Sequence, residues 1–235
     1  ATPSPSTTAT STPTPTATPV SADFPFFDDF ETGVLEPCWS VMTVNEGRVR
    51  VGTEYPYAGV YSALLDDSVD NGIYSTAALI LTVDLSAQTD VDLSFYWREF
   101  YEENHPDDGV FISDDYGAEW SRLTSFNWGP VTFTPAVFDL SEAAQAAGLS
   151  LNDHFRIKFQ MYDNFSIPTD GYALDDIRVW RRISPTPTPT ISPTPPGYRT
   201  PTPTPTPSAP PTATPSASPT PEGYRTPSPS PTPTV

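Results

Sequence analysis

Between Asp23 and Trp180 the apolar positions recur mainly at every second residue. Leu93, Phe95 and Trp97 alternate with Asp92, Ser94 and Tyr96, and Val110 and Ile112 alternate with Phe111 and Ser113. A period of two is that of a β-strand with one buried face. Strands are predicted over 23–30, 39–44, 48–52, 62–65, 75–84, 92–101, 110–113, from Trp120 onward, 131–140, 155–162 and 172–180. Asn45-Glu46-Gly47 reads as a hairpin turn, and Asp114-Asp115-Tyr116-Gly117 as a turn with Gly117 free to take positive φ. The single helical stretch is 141–148, with Ser141 as N-cap and Gly148 as its stop. Many short strands and little helix predict an all-β, antiparallel β-sandwich, with a barrel as the competing architecture.

Composition divides the chain into three. Most of the 31 prolines lie in residues 1–21 and 184–235, which are otherwise almost entirely Thr, Ser and Ala. Such segments cannot bury a core and are predicted to be extended, polyproline II-like tails. The C-terminal tail carries a repeat: SPTPPGYRTPTPTPTP at 192–207 returns as SPTPEGYRTPSPSPTP at 218–233. Residues 22–183 hold nearly all the aromatics and form the domain. The ends contribute only Arg199, Arg225 and Glu222, so the domain carries −19 of a chain whose net charge is −18. That charge argues against nucleic acid and anionic membrane surfaces as partners. No apolar run is long enough for membrane insertion. Cys38 is the single cysteine, which excludes an internal disulfide and reads as a small buried apolar residue.

Three motifs, Asp28-Asp29-Phe30-Glu31, Asp108 to Trp120 and Tyr172 to Val179, resemble the MAM-like jelly-roll modules of secreted bacterial surface proteins. The resemblance spans roughly residues 23–181. It implies a jelly-roll-like sandwich, an extracellular or cell-surface location and a non-catalytic role. The disulfides of animal MAM domains are missing here. Several related jelly rolls hold a structural calcium between first and last strands, and that carry-over makes Asp28, Asp29, Glu31 and Asp176 the candidate Ca2+ ligands. Calcium needs six to eight oxygens, which clustered carboxylates supply. A second acidic loop, 66–70, offers an alternative.

No nucleophile triad, metal-spaced histidine pair or phosphate loop is present, so no enzyme is expected. Two readings follow. In the first, the chain is a structural protein that self-associates into a surface filament. The sandwich is then the bead, and O-glycosylated tails are the linker or assembly element. The acceptors would include Thr186, Thr188, Thr190, Thr200, Thr202, Thr204 and Thr206, with Asn164 in an Asn-Phe-Ser triplet as an N-linked candidate. In the second, it is a carbohydrate- or surface-binding module spaced by its linkers from a secreted enzyme. Tyr101, Trp128 and Trp97 would supply its aromatic platform, with Tyr55, Tyr57 and Tyr61 as further candidates.

Overall fold

The alternation is realised as strands throughout a computed structural model that describes residues 20–101, 105–126 and 128–183. In chain order these are β1 (Phe26–Asp28), β2 (Trp39–Val44), β3 (Gly47–Gly52), β4 (Ser62–Asp67), β5 (Ser75–Val83) and β6 (Val91–Glu99). They continue with β7 (Gly109–Ser113), β8 (Ser121–Ser125), β9 (Thr134–Asp139), helix α1 (Leu140–Ala146), β10 (Phe155–Asp163) and β11 (Tyr172–Arg181). One sheet runs β2-β5-β10-β7-β8, and the other runs β3-β4-β11-β6-β9 with β1 also paired to β11. Every pairing between these strands is antiparallel. The protein is thus an antiparallel β-sandwich of the jelly-roll kind. Residues 1–19 and 184–235, and with them the seven candidate threonine acceptors, lie outside the described residues.

The core is the set of inward positions from both sheets. Leu79, Leu81, Ile157, Phe159, Val110 and Ile112 face Leu65, Leu93, Phe95, Leu174, Ile177 and Val179, and all are buried. Phe95 sits at the centre, with ring centroids 5.1 Å from Phe159, 6.0 Å from Phe138 and 6.2 Å from Phe126. A β-bulge between Asp175 and Arg178 shifts the register of β11 against β6, and Asp176 has φ 51°. The extra residue resets the alternation, so Tyr172 and Leu174 before it and Ile177 and Val179 after it all reach the core.

Three local expectations are corrected. Asn45-Glu46 does not close a hairpin, because β2 and β3 belong to different sheets. Trp39 of β2 and Val49 and Val51 of β3 pack on the core from opposite walls. The helix is capped two residues early: the Asp139 carboxylate accepts from Glu142 N at 2.9 Å and is the N-cap. Ser141 Oγ instead accepts from Val91 N at 2.8 Å. Trp120 precedes β8 and lies outside it.

The register gathers five connections at one end of the sandwich. They are 45–46, 68–74, the link from β6 to β7, the link from β8 to β9, and 164–171. Acidic side chains clasp them. Asp70 accepts from Ser166 N and Oγ, both at 2.7 Å. Asp67 accepts from Ser75 Oγ and Val69 N, both at 2.8 Å, and Asp66 takes the Arg48 guanidinium. The 66–70 acids therefore hold the loop through hydrogen bonds and an ion pair.

Candidate functional site

On the outer face of the first sheet, β10 presents Arg156, Lys158, Gln160 and Tyr162, while Phe155, Ile157, Phe159 and Met161 turn inward. Tyr162 lies opposite Thr76 at the start of β5. Its ring stacks on Tyr74 (5.0 Å, 6° between planes) and on His105 (4.1 Å, 28°). Tyr74 arrives from the β5 side and His105 from the β7 side, so the three rings form a row across the sheet. Four residues back along the same strand, Lys158 is held between two rings. Its Nζ is 4.6 Å from the Phe111 centroid and 4.5 Å from that of Trp120. Between wall and ammonium lies Gln160, which accepts from Lys158 Nζ at 2.8 Å and donates to Asp107 O at 2.8 Å. Arg122 stands over the Phe111 ring.

Outward-facing side chains of a sheet are usually solvated, yet Lys158 is 6% and Gln160 8% exposed. Burial holds the Lys158 ammonium below the usual lysine pKa. It is the chain's one lysine, set in a domain of large negative charge, and aromatic faces stabilise it there. Strand rise places Lys158 and Tyr162 about 13 Å apart along the strand.

Asp108 fixes this arrangement from beneath. It is fully buried and accepts from Tyr162 N at 2.7 Å and His105 N at 2.9 Å, joining the two residues whose rings stack. Burial pushes its carboxyl up to about 7. Asp175 is raised to about 6, also by burial, while accepting from Tyr57 N, Ala58 N and Asp176 N. Each is a raised-pKa acid engaged with backbone donors, which fits an anchor rather than a proton-transfer group. Burial also raises Asp28 and Glu99. Serine hydroxyls lower Asp70, Asp84 and Asp115, and the Glu142 backbone N–H lowers Asp139.

The signs set a pH optimum. For the raised carboxyls the stabilisation is complete below about 4 and is lost as pH rises through about 6 to 7. For the lowered ones it is present above about 4 and lost as pH falls further. Thermal melts should show Tm climbing by about 5 °C or more as pH drops from 8 to 5, then falling below 4. A Tm that rose steadily from pH 5 to 8 would contradict the burial of Asp108.

The four residues named for calcium do not converge. Asp28 is buried, and its oxygens accept from Phe30 N at 2.7 Å and Trp39 Nε1 at 2.6 Å. Asp29 accepts from Glu31 N, Glu31 from Val60 N and Tyr61 N, and Asp176 lies 3.8 Å from Arg178. Among the described residues no three His, Cys, Asp or Glu side chains gather into a ligand set. The donor set therefore does not fit calcium in this geometry.

The aromatic candidates separate. Trp97 points inward, stacked on Phe126 at 4.4 Å and near Tyr172 at 6.0 Å, and is not part of an exposed platform. Tyr101 (82% exposed) and Trp128 (87%) stand out at the loop end, both in left-handed backbone conformations. Their loops are tied together by Glu99, whose N–H donates to Pro130 O and whose carboxylate accepts from Gly129 N. Asn164 is 7% exposed and so does not offer its amide as a glycan acceptor. The Cys38 thiol is buried, which pushes it up to about 11.

Sequence reasoning missed Tyr74, His105, Lys158, Gln160 and Tyr162 as a group. The available signal was the outward set of β10, Arg-x-Lys-x-Gln-x-Tyr, which is polar yet ends in an aromatic.

No protein-family model matches the sequence, and no curated protein matches it. Among solved structures the chain is similar to TmCBM61 in complex with β-1,4-galactotriose, at 18% identity and TM-score 0.44, over 66% of this chain and 94% of that one. It is also similar to the CBM22-2 xylan-binding domain of Xyn10C from Paenibacillus barcinonensis, at 15% identity and TM-score 0.42, over 67% and 99%. A third is the enzymatically active domain of tailspike protein 4 of bacteriophage CBA120, at 11% identity and TM-score 0.41, over 65% of this chain and 20% of that one.

Proposed function

We propose that the domain is a non-catalytic glycan-binding module of an extracellular protein. Its ligand is a neutral polysaccharide, held on the outer face of the β10 sheet. The observation that carries this is the Tyr74-Tyr162-His105 row at the loop end of that face, braced from below by the buried Lys158-Gln160 pair, with the exposed rings of Tyr101 and Trp128 at the same end. Aromatic rings pack against the C–H faces of a sugar. Tyr101 and Trp128 extend the aromatic surface at the same end for a longer chain. The domain's charge of −19 selects against uronate-rich or sulfated polymers.

The filament reading rests on the tails, outside the described residues, whereas this reading rests on side chains in place. Affinity electrophoresis of the full chain through gels containing xylan, galactan, mannan, β-glucan or polygalacturonate tests it. Retardation by at least one neutral polymer is expected, with none by the polyuronate. Uniform mobility in every gel, or retardation by polyuronate alone, would overturn it.

A further inference from the structure

The second sheet carries a different surface on its outer side, independent of the glycan reading. An open cleft of about 660 Å³ crosses β1, β11, β6 and β9 there. Phe27, Tyr96, Pro135, Val137 and Trp180 line it, with Arg178 at one side. Phe27 is 49% and Val137 61% exposed, so the cleft is apolar and open to solvent. The Arg178 guanidinium stands 4.5 Å from the Phe27 centroid, and Tyr57 backs Tyr96 at 3.7 Å, which fixes both walls. Trp180 adds an indole N–H for which no described residue is an acceptor.

We infer that this cleft is a docking site for a polyproline II segment, and that its occupant is Gly197–Pro203 of a second copy of this chain. Three features of the molecule point to that occupant. Rigid aromatic grooves with an indole donor suit proline-rich ligands, whose preformed extended helix loses little entropy on binding and whose carbonyls face outward as acceptors. Spanning β1 to β9 crosses three strand spacings, about 14 Å, and polyproline II covers that in four to five residues, the length of Arg-Thr-Pro-Thr-Pro. The chain itself supplies this sequence twice, at 199–203 and, with serine for the second threonine, at 225–229, each time after Gly-Tyr. Site and ligand on one chain make a head-to-tail contact, which propagates into open chains unless the rotation closes a ring.

Sedimentation velocity of the full chain from about 1 µM to 1 mM tests this, with and without a synthetic Gly197–Pro207 peptide. The sedimentation coefficient is expected to rise with concentration and to return to the monomer value in excess peptide. Trp180→Ala should weaken association by about 30-fold or more. The same peptide with its prolines replaced by alanine should not compete. A chain that stays monomeric throughout would overturn the inference. So would association unmoved by the peptide. If Trp180→Ala shifts the melting temperature, peptide competition on the unmutated chain remains decisive.

Discussion

Replacing Tyr162 with alanine should weaken glycan binding at least about 30-fold, or about 2 kcal/mol, while leaving the sandwich folded. The ring is the middle member of the row formed with Tyr74 and His105, so its loss removes two stacking contacts and the common support of both neighbours. The backbone N–H of residue 162 still donates to Asp108, so the strand end stays anchored. Because the side chain points away from the core, stability should change little compared with loss of Phe159 on the other side of the same strand. Tyr162→Phe should retain most of the affinity, since stacking depends on the ring. Isothermal titration with the polymer that retards the wild type, beside thermal melts of each variant, separates binding from folding.

Asp28→Ala should be the most destabilising substitution of an acidic residue at the first strand, by about 2–5 kcal/mol, or about 10 °C in Tm. The carboxylate serves two buried donors, the Trp39 indole and the Phe30 N–H. Phe30 is fully buried with φ 58°, a left-handed conformation that a phenylalanine adopts only when held. Trp39 in turn packs on Phe26, Phe30 and Phe159. Removing Asp28 leaves both donors unpaired and frees the turn. An Asp28 that holds the turn through its own hydrogen bonds differs from a calcium ligand in one observable. Chelation should leave the wild-type Tm unchanged, whereas a metal-held first strand would lose stability on chelation to an extent comparable with the substitution. Differential scanning calorimetry with and without EDTA reads both.

The fold was legible because its signals are local. Alternation in β6 and β7 places Leu93, Phe95, Val110 and Ile112 inward, and each is buried. Even the bulge is written in the spacing of Tyr172, Leu174, Ile177 and Val179, which steps by two, three and two. Sheet membership was not legible, since Asn45-Glu46 has the residues of a hairpin yet joins two sheets. The site was less legible still. Its rings come from the start of β5, the loop before β7 and the end of β10, far apart in sequence and joined only by strand order. Trp97 shows the same limit from the other side: period two assigns it a face, and its contacts with Phe126 and Tyr172 show that the face is the core. Asp28, Asp29, Glu31 and Asp176 were read as calcium ligands from the resemblance to calcium-holding jelly rolls, and the 66–70 loop from its clustered carboxylates. Only geometry shows that Asp28, Asp67, Asp70 and Asp108 cap backbone and side-chain donors.

Glycan binding by this domain turns on the outer face of the β10 sheet. Backbone amide NMR of the full chain, titrated with an oligosaccharide of the retained polymer, tests it most directly. Saturable shifts clustered at Tyr74, His105, Lys158, Gln160 and Tyr162 are expected, with the cleft around Tyr96 and Trp180 unmoved. Shifts centred on that cleft with the β10 face silent, or no saturable shift with any neutral oligosaccharide, would contradict it.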